Sequence, residues 1–360
     1  MPLPPLSGLD PQRFETVPIF RRLVEANRRL AELKGVAASI PNQNILINTL
    51  TLQEARDSSA IENIVTTQDD LYRDEEASDA VGTAVKEVLR YRQALRAGHE
   101  RVKGTGLLTL NTILDIQEQL ECNRAGLRKL PGTALRDAAG QLVYEPPQDA
   151  NDVRRLMGAL EGFMHDEPAF AIDPLVKMAL IHHQFESIHP FYDGNGRTGR
   201  IVNVLYLVKE GLLDIPVLYL SRHIVRTKPD YYRLLQAVRD DDAWEDWVLY
   251  MLEAVSTTAA ETIDTVQAIK ALLQDTKQYL RREYRFYSQD LLNNLFNHPY
   301  TRVEFLQREL GIARATATKY LDQLARDGVL DKTRVGRNNY YVNRPLFDLL
   351  SRETVPGPGA

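Results

Sequence analysis

Twelve consecutive residues, from His189 to Arg200, combine residue types that suit the binding of phosphate groups. Arg197 and Arg200 stand one helical turn apart, so both can face the same anion. Glycine lets a backbone turn sharply and come close to a ligand, and the segment contains Gly194, Gly196 and Gly199. A predicted helix follows directly, and the free N–H groups at a helix start attract anions. The segment therefore predicts a polyphosphate site.

Two other side chains of the segment add what a phosphate site needs for reaction. Asp193 supplies hard oxygen ligands, which suit a Mg²⁺ ion shared with phosphates. His189 exchanges a proton near neutral pH and can serve as a general base. Taken singly, a histidine is more often structural, a glycine-rich turn is a weak signal and an aspartate can cap a helix. Together they indicate nucleotidyl or phosphoryl transfer.

Apolar residues at helical spacing dominate the 360-residue chain and predict a mainly α fold. The predicted helices cover 11–34, 43–65, 79–97, 108–121, 149–165, 174–188, 197–210, 229–240, 243–285, 289–296, 301–310 and 314–327. A β-hairpin is predicted over Thr133–Tyr144, with its turn near Asp137–Gly140. Two further strands are predicted within Val329–Val342, around a turn at Val335–Asn339. The phosphate motif thus lies in a loop that opens onto a helix.

These patterns divide the chain into four predicted parts. They are an N-terminal helical region (1–100), a catalytic core (101–242), a long connecting helix (243–288) and a winged-helix domain (289–360). A single cysteine, Cys122, cannot form an internal disulfide, and no apolar run approaches membrane-spanning length. The proline-rich N-terminus lacks the pattern of a signal peptide. We therefore expect a cytoplasmic protein without a membrane partner.

The C-terminal part leaves a second class of function open, that of a DNA-binding regulator. Residues 297–344 hold nine Lys and Arg against five Asp and Glu, whereas the whole chain has a net charge of −5. Arg314–Leu324 would be a recognition helix, beside a basic wing formed by Lys332, Arg334 and Arg337. The excess is modest, and three acids interrupt the face: Asp322, Asp327 and Asp331. DNA binding is therefore not favoured over a protein-contact or dimer module.

The phosphate motif matches in full the signature of the Fic family, His-Pro-Phe-x-Asp-Gly-Asn-Gly-Arg-x-x-Arg. The preceding helix, Met178–Ile188, is similar to the family's lead-in, and the resemblance is strong over roughly 105–240. It implies a Fic-fold helical bundle with a small β-hairpin flap. It also implies an enzyme that moves AMP from ATP to a Tyr, Thr or Ser hydroxyl of another protein.

The resemblance also implies a role for each residue of the motif. His189 would be the general base, Asp193 would hold Mg²⁺ against the phosphates of ATP, and Phe191 would anchor the loop in the core. The remaining motif residues would bind ATP: the anion hole of Gly194, Asn195 and Gly196, the phosphate-binding Arg197 and Arg200, and Thr198 and Gly199 between them. His182 and His183 are interpreted as core residues rather than metal ligands.

Two segments outside the motif resemble the family's accessory parts. The hairpin that ends at Tyr144 is similar to the flap, where a target segment adds as an extra strand. The segment Ser221–Tyr232 is similar to a loop that closes over the nucleotide. Arg226 in this loop is a candidate ATP contact, and it can equally be a solvated charge.

An upstream pattern, Ser58-x-x-x-Glu62-Asn63, resembles the inhibitory motif of the family. Ser58 and Glu62 are four residues apart and share a helix face. The resemblance implies that Glu62 forms a bidentate pair with Arg200 and so blocks productive binding of ATP. The alternative is a solvated glutamate. The same carboxylate could also position water for removal of AMP, and the sequence leaves both directions open.

The same motif residues also indicate which other reactions of the family to expect. Relatives that phosphorylate, such as the Doc toxins, carry lysine where this chain has Gly196, so phosphorylation is not expected. UTP or a phosphocholine donor stays open, because the motif contacts phosphates more than bases. The sequence does not name the target protein. Self-modification of a tyrosine and a homodimer are both compatible with it.

Overall fold

The computed structural model describes residues 3–73, 82–137, 139–165, 170–335 and 338–351. Within these ranges it contains fifteen α-helices and five short strands. The helices are α1 Val17–Ala38, α2 Asn44–Ile61, α3 Gln68–Arg73, α4 Thr83–Thr105, α5 Leu110–Glu121, α6 Ala150–His165, α7 Pro174–Ile188, α8 Asn195–Lys209, α9 Ser221–Arg226, α10 Lys228–Asp241, α11 Trp244–Glu283, α12 Gln289–Asn297, α13 Val303–Leu310, α14 Arg314–Arg326 and α15 Arg344–Ser351. The strands are β1 Leu135–Arg136, β2 Leu142–Tyr144, β3 Tyr300–Thr301, β4 Asp331–Val335 and β5 Asn338–Val342. The predicted mainly α fold is confirmed.

The core is built around α7 and α8. Asp173 caps the start of α7 by accepting the Leu175 N–H at 2.8 Å, and every residue from Leu175 to Ile188 is buried. A helix buried on all sides is typical of the centre of a helical bundle. The helices α2, α4, α5 and α6 pack around this pair. The loop that joins α7 to α8 therefore starts and ends on rigid, buried elements.

Helix α4 continues to Thr105, well past the predicted end at residue 97. Gly98, just after that predicted end, has a packing role within the helix. A Cβ atom at Gly98 would lie 2.6 Å from Leu205 Cδ1 of α8 and 3.1 Å from Ile116 Cδ1 of α5. The missing side chain lets three helices approach one another closely. The helix ends where Gly106 adopts a left-handed conformation with φ 71°, as is common at helix C-termini.

The long helix α11 runs close to its predicted bounds and links the helical core to the C-terminal end of the chain. It packs against α1 and α7, and it also contacts α12 and α15. Trp247 of α11 is fully buried, and its indole N–H donates to the Ala179 carbonyl of α7 at 2.8 Å. Among the described helices, none combines the length and the apolar character needed to cross a bilayer.

The C-terminal domain, residues 289–351, consists of three helices, a three-stranded sheet and the final helix α15. The antiparallel strand order is β3-β5-β4, and the succession α12-β3-α13-α14-β4-β5 is the element order of a winged helix. The predicted helix 301–310 starts later, because residues 300 and 301 pair with β5 as strand β3. Gly336 and Arg337, at the predicted turn, lie outside the described residues.

The prediction of a loop over Ser221–Tyr232 is wrong. Residues 221–226 form α9, and α10 begins at Lys228, directly before Pro229. Proline is favoured in the first turn of a helix, because it lacks the N–H group that has no intrahelical partner there. The short helices α3 and α15 were not predicted from the sequence.

Candidate active site

Two left-handed residues shape the loop between α7 and α8. His189 ends α7 with φ 47°, and its N–H donates to the Phe185 carbonyl at 3.0 Å. Gly194 precedes α8 with φ 77°. Between them Phe191 is fully buried, as predicted, and Asn195 bonds to it twice: the side-chain oxygen accepts its N–H at 2.8 Å, and the side-chain amide donates to its carbonyl at 2.9 Å. The Asn195 side chain therefore fixes the loop, and only its backbone can contribute to an anion hole.

Arg128, a residue that the sequence did not identify, holds the end of α7 in place. It is 2% exposed, and its guanidinium donates to the His189 carbonyl at 2.8 Å, to the Ile188 carbonyl at 3.2 Å and to the Pro147 carbonyl beyond the hairpin. A cation at a helix C-terminus is electrostatically favourable. Arg128 thus ties the base of the hairpin to the backbone of the candidate general base.

The surroundings of His189 keep its imidazole neutral. Burial lowers its pKa to about 4, and the nearby cations Arg128 and Arg239 act in the same direction. The Asp193 carboxylate and the Glu186 carbonyl oppose this shift only in part. A neutral imidazole is the form that can accept a proton. The His189 imidazole is therefore in the form that a general base needs over the whole physiological pH range.

Arg197 is 3% exposed and lies among three carboxylates from three different helices or helix ends. Its Nε lies 2.8 Å from Glu62 Oε2, its Nη1 3.1 Å from Glu87 Oε2 and its Nη2 2.8 Å from Glu121 Oε1. Burial raises the pKa of Glu121, and Arg197 opposes that shift. Sequence reasoning missed Glu87 and Glu121, because they lie 110 and 76 residues from Arg197 in the chain and belong to no local motif.

Arg200 is buried beside the predicted inhibitory motif. Its Nε donates to the Ser58 hydroxyl at 2.7 Å, and its Nη2 donates to the Ser58 carbonyl at 2.9 Å and to Glu62 Oε1 at 2.8 Å. The predicted contact between Glu62 and Arg200 is present, but the predicted bidentate geometry is wrong. Glu62 instead gives one oxygen to Arg200 and the other to Arg197. Ser58 already accepts from Nε and Nη2 of Arg200, so Glu62 shares only Nη2 and its second oxygen reaches Arg197.

Glu62 lies at the C-terminal end of α2 rather than within the helix. Its N–H donates to the Ser59 carbonyl at 3.0 Å, and the next residue, Asn63, is left-handed with φ 64°. Asparagine and glycine tolerate this conformation better than other residues do. The Asn of the motif therefore ends the helix directly after the carboxylate. Lys228 donates to the Asn63 side chain at 3.3 Å.

Each motif glycine allows a close approach to a charged side chain. A Cβ atom at Gly196 would lie 2.7 Å from Glu62 Oε1 and 2.8 Å from Arg200 Nη1, and one at Gly194 would lie 2.5 Å from Glu121 Oε1. A Cβ atom at Gly199 would lie 2.8 Å from Glu186 Oε1. Thr198, between Arg197 and Gly199, is fully buried. The start of α8 is thus bare backbone, as an anion hole requires.

Asp193 is exposed at the start of this backbone, and its Oδ1 accepts the Gly194 N–H at 2.7 Å. The described residues contain no cluster of three or more metal-ligating side chains. A single carboxylate fits a Mg²⁺ ion that is held jointly with phosphate oxygens, since Mg²⁺ in such sites takes few protein ligands. The donor set therefore suits a metal that arrives with a nucleotide.

The predicted hairpin is present as the pair β1–β2 and stands next to His189. Tyr144 anchors it, because its hydroxyl donates to the Ser187 carbonyl at 3.0 Å and the Arg239 guanidinium lies 4.0 Å from its ring centre. Leu142 and Val143 are 56% and 43% exposed. Two neighbouring apolar side chains thus remain open to solvent beside the candidate base.

Some predicted residues lie apart from the motif. Arg226 pairs with Glu261 of α11, and its role as an ATP contact stays a prediction. His182 and His183 are buried and face Tyr231 and the Leu235 carbonyl, and burial lowers the pKa of each to about 3. Their interpretation as core residues agrees with these contacts.

Several basic residues of the C-terminal domain pair with neighbouring acids. Lys332 pairs with Asp322 at 2.6 Å, Arg314 with Glu304 at 3.1 Å and Arg344 with Asp331 at 3.1 Å. Asp322 and Asp331, two of the three acids that interrupt the positive face in sequence, thus contact basic residues in space. This pairing weakens the electrostatic attraction on which DNA binding depends.

Three protein-family models match the chain. Residues 20–100 match the Fic/DOC family N-terminal model, and residues 107–207 match the Fic/DOC family model. Residues 272–346 match the C-terminal domain of SoFic-like protein adenylyltransferases. The matched ranges contain the inhibitory pattern, the phosphate motif and most of the C-terminal domain.

Curated relatives carry the name of the same family. The chain is 28% identical over 139 residues to a protein adenylyltransferase Fic of Culex quinquefasciatus, an alignment that spans 38% of this chain and 27% of the relative. It is 34% identical over 80 residues to protein adenylyltransferase fic-1 of Caenorhabditis elegans, over 22% of this chain and 15% of the relative. The chain thus matches well under half the length of these curated relatives.

Among solved structures, a Fic family protein from Desulfovibrio desulfuricans G20 superimposes with a TM-score of 0.58 at 23% identity. That match covers 91% of this chain and 96% of the other. Fic-1 from C. elegans superimposes with a TM-score of 0.53 at 19% identity, over 70% and 75% of the two chains. These likenesses show that the fold is shared.

Proposed function

The chain belongs to the Fic/DOC family, and on that basis we propose that it transfers AMP from ATP to a hydroxyl group of a protein. The acceptor is the side chain of a Tyr, Thr or Ser residue. The adenylyltransferases among its relatives support this reaction, although they align with the chain over only part of their length. The residues around the α7–α8 loop supply the local chemistry.

One observation carries the proposal: a single carboxylate bridges two buried arginines at the start of α8. Glu62 reaches Arg197 and Arg200 at 2.8 Å each, beside the bare backbone at Gly196. Two guanidinium groups and a helix N-terminus form a strong anion site. A carboxylate of the chain fills a place that suits the phosphates of a nucleotide.

The residues of the site then divide the reaction among them. The triphosphate binds to Arg197, Arg200 and the backbone of Gly194 to Gly196, which leaves the α-phosphorus beside the imidazole of His189. His189 takes the proton from the target hydroxyl, whose oxygen attacks the α-phosphorus. The bond to the β-phosphate breaks, and pyrophosphate leaves. Mg²⁺, held with the phosphates by Asp193, would neutralise negative charge there. Positioning and charge neutralisation supply most of the catalysis in such reactions.

Glu62 acts as an internal inhibitor in this scheme. Its carboxylate occupies Nε of Arg197 and Nη2 of Arg200, and its negative charge repels a phosphate that approaches either arginine. ATP can bind only with its phosphates displaced from the productive position. Removal of AMP, with the same carboxylate directing water towards a modified protein, is the alternative direction of reaction at this site.

The hairpin β1–β2 is the proposed binding place of the target. Its strands are short and leave backbone groups free to pair with an extended segment. Leu142 and Val143 offer exposed apolar contacts next to that edge. The anchoring of Tyr144 to Ser187, two residues before His189, would bring a bound hydroxyl close to the general base.

The proposal is tested by replacing Glu62 and His189 in the full chain. We expect Glu62→Gly to raise incorporation of labelled AMP about tenfold or more, because a charge-assisted contact is worth about 1.5–3 kcal/mol. His189→Ala should lower it by about 10²–10⁴-fold in the Glu62→Gly background. Intact mass after incubation with ATP and Mg²⁺ reports self-modification, and a protein extract supplies other targets.

Two results would contradict the proposal. Equal incorporation by Glu62→Gly and by the double variant Glu62→Gly/His189→Ala would remove the enzymatic assignment. Incorporation that depends on His189 but does not increase with Glu62→Gly would remove only the inhibitory role. Repeating the assay with labelled UTP distinguishes ATP from other nucleotide donors.

A further inference from the structure

The segment that carries Glu62 contacts the C-terminal domain at a point before the glutamate. Gln53 of α2 is buried, and its side-chain amide donates to the Leu350 carbonyl of α15 at 2.6 Å. Its side-chain oxygen accepts from Arg222 of α9 at 3.3 Å. The Gln53 side chain of α2 thus bonds to α9 of the core on one side and to α15 of the C-terminal domain on the other.

A second contact with the same domain follows the glutamate. Tyr72 of α3 is 3% exposed, and its ring stacks on Tyr300 of β3 with 6.1 Å between centroids and 4° between the planes. The ring also meets Phe347 of α15 edge to face at 6.1 Å. Buried aromatic pairs of this kind fix the position of the elements that carry them. The helix α3 is therefore packed onto the C-terminal domain.

Glu62 lies between these two contacts, nine residues after Gln53 and ten before Tyr72. It stands at the end of α2, where the backbone turns through left-handed Asn63 into the short link to α3. Because Glu62 is the residue that follows the last turn of α2, its position is set by the end of that helix and by the link that follows. The place of the Glu62 carboxylate therefore depends on where α2 and α3 are held.

Contacts within the core hold the first part of this arrangement firmly. Glu54 of α2 is fully buried and accepts from the hydroxyls of Tyr91 and Ser221, which ties α2 to α4 and α9. Helix α3 packs on α4 of the core, and the buried ring of Tyr72 adds a contact with Tyr300 and Phe347 of the C-terminal domain. Loosening the Tyr72 packing would remove one of the contacts that hold the chain after Glu62 and would leave the bonds of α2 to the core in place.

We propose that Gln53 and Tyr72 are positioning residues through which the C-terminal domain holds Glu62 between Arg197 and Arg200. The domain then controls how often the arginines are free for a triphosphate, since a contact made only in the inhibited state shifts the population towards that state. This inference rests on the proposed function, because it concerns the inhibitory glutamate. It gives the C-terminal domain a regulatory role that does not require DNA.

The test compares four forms of the full chain: the unchanged protein, Tyr72→Ala, Glu62→Gly and the double variant. Incorporation of labelled AMP from ATP is the readout. We expect Tyr72→Ala to raise incorporation at least about fivefold where Glu62 is present. In the Glu62→Gly background the same change should have no effect beyond about twofold, because no inhibitory carboxylate is left to release. The apparent KM for ATP should fall with Tyr72→Ala only when Glu62 is present.

Three further variants separate the effect of these contacts from a general loss of folding. Tyr72→Phe keeps the stacked ring and should behave like the unchanged protein. Gln53→Ala removes the contact with Leu350 and should also activate. Tyr320→Ala removes a different stacked pair of the C-terminal part, with Phe286 at 4.1 Å, and should not activate. Thermal unfolding of every variant shows whether it is folded at the assay temperature.

The possible failures are distinguishable. If Glu62→Gly gives no incorporation above that of His189→Ala, the proposed function fails first. If Glu62→Gly activates but neither Tyr72→Ala nor Gln53→Ala does, the C-terminal domain does not position Glu62. Activation by Tyr72→Ala in both backgrounds, or by Tyr320→Ala to the same degree, would likewise overturn the inference.

Discussion

His189 shows how much of a catalytic role depends on a residue's surroundings. Its imidazole is buried next to two cations, Arg128 and Arg239, and its pKa is lowered to about 4. The residue type alone suggests a group that titrates near neutrality. In this structure the imidazole stays neutral as the pH falls below 6, until the pH approaches about 4. A base of this kind binds its proton weakly but is always available to accept one.

Changes at Arg128 test this electrostatic effect. AMP transfer by the Glu62→Gly enzyme should keep its rate from pH 8 to about 6 and decline as pH approaches the lowered pKa of His189. Arg128→Met removes a cation, so the pKa of His189 rises and the acid limb of the pH–rate profile should move up by about one unit. Arg128→Lys keeps the charge and should leave that limb in place.

The exposed Arg124, in the same segment, provides the control for this experiment. It pairs with Glu118 and is 87% exposed in its side chain, so Arg124→Met should leave the pH profile unchanged. An acid limb that stays fixed in Arg128→Met would show that Arg128 acts only through its bonds to the carbonyl groups of α7.

Helix ends, more than helix faces, carry the candidate site. His189 ends α7, Gly194 precedes α8, Glu62 follows α2 and Glu121 ends α5. Helix ends have unpaired backbone groups and adjustable side-chain directions, and both favour ligand contact. The packing of the helix bodies decides whether these ends meet.

Gly98 is one residue on which that packing depends. Gly98→Ala should lower the stability of the protein by about 1–3 kcal/mol, because the new methyl group would lie 2.6 Å from Leu205 Cδ1 and 3.1 Å from Ile116 Cδ1, two buried side chains that would have to shift. Calorimetric unfolding measures the change. Gly104→Ala in the same helix is the matched control: no atom lies within 4 Å of its Cβ position, so the substitution should stabilise α4 by about 0.5–1 kcal/mol. Equal effects at both glycines would contradict this account of the packing.

At the scale of the whole molecule, buried charged groups make stability depend on pH. Burial raises the pKa of Glu54 to about 7, against the lowering effect of its bonds to Ser221 and Tyr91. A carboxyl group whose pKa is raised on folding favours the folded state at low pH. That contribution decreases as pH rises from about 4.5, the value of an unperturbed carboxyl, through about 7.

Glu54→Gln should therefore change the pH dependence of the melting temperature. The variant cannot ionise at this position, so its melting temperature relative to the unchanged protein should increase between pH 5 and pH 8. Glu100→Gln, at an exposed position of α4, provides the comparison for replacing a glutamate by glutamine elsewhere in the chain. If the Glu54→Gln difference is constant over this range, Glu54 does not change its protonation between the folded and unfolded states.

The sequence by itself determined most of the long helices and predicted a phosphate site at the motif. The apolar spacing of α7 and α11 gave bounds within two residues, because long periodic patterns outweigh local exceptions. The residues from His189 to Arg200 fold as a loop and a helix start, as their glycines require. Glu62 was found because a short motif marks it. These features are local, so nearby residues are enough to specify them.

Only the tertiary structure decided which distant groups meet. Arg128, Glu87 and Glu121 contact the motif from 61 to 110 residues away, and no local pattern marks them. The division of the Glu62 oxygens between two arginines, and the packing of Tyr72 on the C-terminal domain, likewise follow from how whole helices pack. The physical reason is that a side chain's partners are set by the sum of many weak packing contacts, which a single stretch of sequence does not contain.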